Sequence, residues 1–338
     1  MKAVRFAGNG VVEVIEKDMP KPGTQDVLIK VSYCGLCGSE NRVVRSGSLH
    51  CVPGHEIAGT VVCCGSQAKQ FPQDCPVLVY LSNYCGQCEA CRSGNTSQCA
   101  ERNGLIGWGF DGGYEEYVTV PGHMVFPLED IPTHLGVLAL DTIGTAFHGL
   151  RQAQIEEGST ALVIGCGPIG LGCVSILKNH YHIETIYAAD ISRYHLDIAK
   201  NIGATPVLVD PLNTIESIEK ALGGMRFRHV IEVCGMNDTI AASVHFVHAG
   251  GRAVMIGEPE KALILKRTSE WILKDFSLIN SWYFPIRELG ENLKFIKDNR
   301  TQVEKLITHY FTLNEMTQAY ALFQSGHTGK VLVRIGGQ

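Results

Sequence analysis

The sequence predicts an α/β protein with a β-rich first half and a doubly wound parallel sheet in its second. Three observations predict it. Short β-branched runs broken by Gly and Pro fill the early chain. A glycine turn, GCGPIG, closes one apolar strand and opens an apolar helix. Beyond it, strand-sized and helix-sized runs alternate, as they do in a parallel sheet.

A chain of 338 residues exceeds one ordinary core, so two domains are expected. A hydrophobic content of 45%, 19% charged residues and 37 glycines describe a globular, turn-rich molecule. The net charge of -5 offers no general attraction to nucleic acid or anionic membrane. In MKAVRFAGNGVVEVIEKD, Arg5, Glu13 and Glu16 interrupt any signal-peptide core, and no run reaches the roughly 18 to 20 apolar residues of a spanning helix. The expectation is a cytoplasmic protein. In that compartment thirteen cysteines point to metal ligation or free thiols more than to disulfides.

The first strands are read in VVEVIEK and, after Pro20-Lys21-Pro22-Gly23, in DVLIKVSYCG. Similar runs follow at IAGTVVCCG, CPVLVY and YEEYVTVP, which together suit a barrel or sandwich carrying long loops. Between them, GLCGSENRVVRSGSLHCVPGHE brings Cys37 close to His55 and Glu56. A thiolate and an imidazole supply two ligands of a tetrahedral zinc, but a catalytic site needs a third and an open position. Alone, the pair fits better a small buried thiol and a satisfied loop histidine.

The segment NYCGQCEACRSGNTSQC places Cys85, Cys88, Cys91 and Cys99 in one polar loop. Four thiolates fill every position of a zinc, so such a site holds the loop's shape and cannot polarise a substrate. Four cysteines also suit an iron-sulfur cluster, and a zinc ribbon of a non-enzymatic binding protein is a further reading. Against nucleic-acid binding, this loop carries only one cation, Arg92.

The pattern turns helical at LGVLALDTIGTAFHGLRQA, and STALVIGCGPIG follows as strand and turn. The expected division is residues 1–148, residues 149–286 as the dinucleotide domain, and residues 287–338 returning to the first domain. In the turn, Gly165 permits the tight bend, Gly167 lets backbone approach a pyrophosphate and Gly170 allows close helix packing, with Pro168 and Ile169 completing the cofactor-facing turn. The strand ETIYAAD ends at Asp190, placed to accept hydrogen bonds from both adenine-ribose hydroxyls, which favours NAD over NADP. Arg193 could swing towards a 2'-phosphate or stay solvated. Alternation continues through PVLVD, HVIEVCG and GRAVMIGE. Helices RELGENLKFIKDN and LNEMTQAYALFQSG then lead to one last strand, KVLVRI.

With GLCGSE, PGHE, the four-cysteine loop, DGGYEEYV, GCGPIG and GKVLV in order along the whole chain, the sequence resembles the zinc-dependent medium-chain dehydrogenase/reductases. The resemblance implies a GroES-like catalytic domain, a Rossmann domain, two zincs per chain, and a homodimer or homotetramer. It assigns Cys37 and His55 to a catalytic zinc. Matching DTIGTAFHG to the family's polyol enzymes makes Asp141 the third ligand and His148 the accompanying histidine. Glu56 would ligate when substrate is absent or stand behind the ligands, and Ser39 would pass the proton outward.

Two departures stand out: Glu40 replaces the family's usual aspartate, and Asn41-Arg42 stands where a relay histidine often follows. The longer carboxylate puts the orientation of His55 in doubt, and Arg42 or Arg45 could meet an anionic substrate. The function expected is NAD-linked oxidation of a secondary hydroxyl on a polyol, cyclitol or sugar-derived substrate. An NADPH-dependent aldehyde or ketone reductase is the alternative within the same fold.

Overall fold

The computed structural model describes residues 1–46, 49–259, 261–262 and 269–336. Five strands of the first half and two from the end of the chain build a seven-stranded sheet around the long strand Asp26–Gly35, where Val27, Leu28, Ile29 and Val31 are buried and Lys30 faces solvent. Antiparallel pairing joins Asp26–Gly35 to Glu56–Cys64, then to Pro76–Val79 and Val125–Pro127, while Tyr117–Pro121 also pairs with Asp26–Gly35.

The other flank of Asp26–Gly35 is taken by the chain's last strand, Lys330–Arg334. A strand absent from the sequence reading, Ile307–Thr312, pairs parallel to that one. Apart from the exposed Tyr310 its residues are half-buried on both faces, so ITHYFT carries no alternation to mark it.

The second sheet is wholly parallel. Its strands run in the order Thr205–Leu208, Thr185–Asp190, Thr160–Ile164, Phe227–Glu232, Val247–Met255, Ser277–Asn280. Strand order reverses between Thr160–Ile164 and Phe227–Glu232, and the crevice outside their carboxyl ends is where such sheets bind ligands. The helix predicted across LGVLALDTIGTAFHGLRQA is interrupted. A short helix at Thr133–Gly136 gives way to a π-helical turn, Asp141–Thr145, before Ala146–Gln152 resumes α geometry. Among the described residues, no helix is long and apolar enough to cross a membrane.

His229 exposes one cost of the parallel core. It lies in register between Ala161 and Arg252, is fully buried, and neither ring nitrogen has a hydrogen-bond partner among the described residues. Burial pushes its pKa down to about 4, opposed by Glu156 and reinforced by Arg228 and Arg252. Between the unfolded value near 6.5 and about 4, the unfolded chain binds a proton that the fold refuses. Stability is therefore complete above that window and lost as pH falls through it. His229→Leu is expected to flatten this part of the profile, by about 2 to 3 kcal/mol towards pH 4, as read by urea unfolding across a pH series.

Candidate active site and metal centres

Cys37 follows the end of Asp26–Gly35, His55 precedes Glu56–Cys64, and Asp141 opens the π-helical turn, so three separate elements converge on one point. Cys37 Sγ lies 3.0 Å from Asp141 Oδ2, and His55 Nε2 lies 3.5 Å from the same oxygen. With Glu56 added, one donor atom from each of the four residues falls within 4.8 Å of the others. Ligands of a tetrahedral zinc are separated by about 3.3 to 3.8 Å, so this donor set fits that ion. The second oxygen of Glu56 supports the fit, being buried with no hydrogen-bond partner among the described residues.

The surroundings hold each donor in place. Thr145 donates to Asp141 Oδ1 at 2.6 Å, leaving Oδ2 to face Cys37 and His55. Burial alone would raise the Asp141 carboxyl, but His55, Lys330 and Thr145 hold it well below the usual range. Glu40, 1% exposed, answers the doubt raised by its length. It accepts from the Tyr114 phenol at 2.8 Å and sets its other oxygen 3.3 Å from His55 Nδ1, an electrostatic contact short of hydrogen-bond alignment. A carboxylate behind a ligand imidazole fixes its tautomer and orientation.

Lys330 is the principal residue that sequence reasoning missed. Only 1% exposed, it donates to the Glu56 carboxylate and to Leu36 O. Burial pushes Glu56 up, while the Lys330 ammonium pulls it back towards ionisation. The available signal was a lysine opening the apolar run KVLVRI. Ser39 lines the cleft with Oγ 3.2 Å from Cys37 Sγ. His148 is set apart from the cluster by its own partners, Glu288 and Gln152.

The four-cysteine loop forms a second donor set. Cys85 and Cys91 sulfurs are 3.9 Å apart and those of Cys88 and Cys99 3.8 Å, matching the roughly 3.8 Å edge of a zinc-thiolate tetrahedron and far from a disulfide bond. Backbone amides of Gln87 and Cys88 point at Cys85 Sγ, and that of Cys85 at Cys99 Sγ. Such donors offset thiolate charge.

The glycine turn has the geometry its spacing predicts. Gly165 takes φ +96°, and a Cβ on Gly170 would stand 1.9 Å from Gly165 O. Gly167 faces open space ahead of the helix Pro168–Asn179. Asp190 is more enclosed than a bare ribose acceptor, accepting from Cys166 N at 2.6 Å and Ser192 N at 2.7 Å, with His195 Nδ1 3.3 Å away. Arg193 is exposed at the start of the next helix.

Metal and dinucleotide elements share one cleft of about 870 Å³, in which Cys37, His55 and Asp141 face Ile169, Cys234 and Gly257. Arg42, considered for an anionic substrate, pairs with Glu258 at 3.0 Å across this cleft; Arg45 also lines it.

Residues 23–130 match the model of the alcohol dehydrogenase GroES-like domain, and residues 168–298 that of zinc-binding dehydrogenases. An L-threonine 3-dehydrogenase from Shewanella frigidimarina is 26% identical, with 94% of each chain covered. D-arabinitol dehydrogenase 1 of Uromyces fabae is also 26% identical, over 95% of this chain and 93% of its own. Among solved structures, an alcohol dehydrogenase from Thermus sp. ATN1 superposes with TM-score 0.90 at 25% identity, covering 99% of this chain and 100% of its own. Galactitol-1-phosphate dehydrogenase from Escherichia coli gives 0.88 at 26%, with the same coverage. A non-enzymatic zinc-ribbon protein is thereby set aside. With both domain types present in order and the likeness running the length of the molecule, the chain belongs to the zinc-dependent medium-chain dehydrogenase/reductase family and is an oxidoreductase of the alcohol and polyol dehydrogenase type.

Proposed function

We propose that the chain oxidises a secondary hydroxyl of a polyol, cyclitol or sugar-derived substrate and passes the hydride to NAD. The observation that supports this most is the convergence of Cys37, His55 and Asp141 on the cleft that meets the glycine turn. Zinc held by these three would supply the Lewis acidity that lowers the pKa of a substrate hydroxyl. Cys85, Cys88, Cys91 and Cys99 would hold a second, structural zinc.

The chain's own residues do the rest. Glu40 orients His55, and Thr145 keeps Asp141 turned inward. Ser39, beside Cys37, takes the proton leaving the substrate hydroxyl towards solvent. Trp108, its ring 5.8 Å from that of His55, keeps water from the reacting face. The Gly165–Gly170 turn and the helix after it receive the pyrophosphate. Asp190 accepts from the adenine ribose, where its charge repels a 2'-phosphate.

Two zincs per chain are expected by elemental analysis of the purified protein. In a screen of polyols, cyclitols and sugar acids read at the nicotinamide absorbance, turnover is expected with NAD well above NADP. One zinc per chain would remove the catalytic assignment, and a preference for NADPH with aldehydes would reverse the proposed direction.

A further inference from the structure

Tyr283 lines the cleft and combines features that a purely structural tyrosine avoids. Its backbone takes φ +49°, the left-handed region that an aromatic residue rarely adopts. Its side chain is buried, the residue being 4% exposed; the Leu81 amide approaches the phenol oxygen, yet the phenol O–H has no acceptor among the described residues. Buried tyrosine hydroxyls normally find one. Strain and an unmet donor together, at the wall of a reaction cleft, point to a ligand.

The turn is held in this conformation by its neighbours. The Tyr80 hydroxyl donates to Phe284 O, and Ile286 N donates to Thr96 Oγ1 at 2.9 Å. The rings of Tyr80 and Phe284 lie 5.4 Å and 4.5 Å from that of Tyr283 and leave it little freedom. Apolar side chains share the cleft with it: Leu81, Leu105, Trp108 and Trp282, the last with the Arg102 guanidinium 5.0 Å from its ring. A phenol is neutral at neutral pH and so can donate.

We propose that Tyr283 binds substrate, donating its hydrogen bond to a second oxygen beside the hydroxyl being oxidised, so that the substrate is a vicinal diol and not a simple alcohol. This rests on the dehydrogenase reading above and adds to it the residue that recognises the second oxygen. The diol's carbon skeleton presents C–H faces to the indoles of Trp108 and Trp282, and the neighbouring oxygen satisfies the phenol. An alcohol without that oxygen leaves the donor unpaired in a dry wall, the situation in which enzymes discriminate most strongly.

The test compares the full chain with its Tyr283→Phe variant, zinc content measured in both, using trans-cyclohexane-1,2-diol and cyclohexanol with NAD. The wild type is expected to favour the diol at least tenfold in kcat/KM. Tyr283→Phe is expected to lose that advantage, mainly in KM, while its activity on cyclohexanol changes less than twofold and its Tm holds or rises. Equal losses on both substrates, or none on the diol, would overturn the role of Tyr283 and leave the dehydrogenase reading standing. Wild-type turnover of cyclohexanol as fast as the diol would do the same. No turnover of any diol, polyol or cyclitol would overturn the substrate class itself, and the inference with it.

Discussion

Asp141→Ala is expected to lower kcat/KM by about a thousandfold or more and to reduce zinc from two to one per chain. A carboxylate is removed from a site whose other donors are one thiolate, one imidazole and a Glu56 carboxylate already paired with Lys330, and such a depleted set does not hold a catalytic zinc. The shortened side chain also releases Thr145, whose hydroxyl loses its acceptor. The dinucleotide turn lies on another element, so NADH binding followed by fluorescence should be unchanged. Retention of both zincs with full turnover would take Asp141 out of the ligand set; loss of NADH binding would mean that the change had disturbed the fold.

Lys330→Met is expected to cost about 3 to 5 kcal/mol of stability, because it leaves the fully buried Glu56 carboxylate without its cation. Methionine fills much of the lysine stem's volume, so packing loss is secondary. The Leu36 carbonyl loses a donor as well. Adding Glu56→Gln to the same chain should restore most of the loss, since two neutral groups need no mutual compensation. Urea unfolding of the single and double variants measures this coupling. A cost below about 1 kcal/mol for the single change would show that the pair does not bear charge in the fold.

Much of the architecture was legible in the sequence because its signals are local. DVLIKVSYCG is a β-branched run set off by the Pro20-Lys21-Pro22-Gly23 turn, and GCGPIG sits between a strand and a helix, the only context in which three glycines carry that meaning. The cysteine loop was legible through spacing, for ligands on one short segment cannot stray far from one another. Asp141 was not legible that way. Nothing in LGVLALDTIGTAFHGLRQA signals that an apolar helical pattern will break into a π-helical turn, and only the resemblance singled the residue out. Lys330 and Tyr283 were missed for a different reason. Each is defined by a partner or a vacancy far away in the chain, Glu56 for one and the cleft for the other, and residue type alone does not encode such relations. Ile307–Thr312 escaped because a strand half-covered on both faces has no pattern to read.

The cysteine lobe carries a consequence for selectivity. Thr96 lies between Cys91 and Cys99, and its hydroxyl receives Ile286 N and meets the Tyr80 hydroxyl, which in turn grips Phe284 O. The lobe is thus the abutment against which the bend at Tyr283 is braced. A metal that touches no substrate would then set the shape of the surface that does, and slackening there would blur the choice of substrate while the chemistry at Cys37, His55 and Asp141 stayed intact.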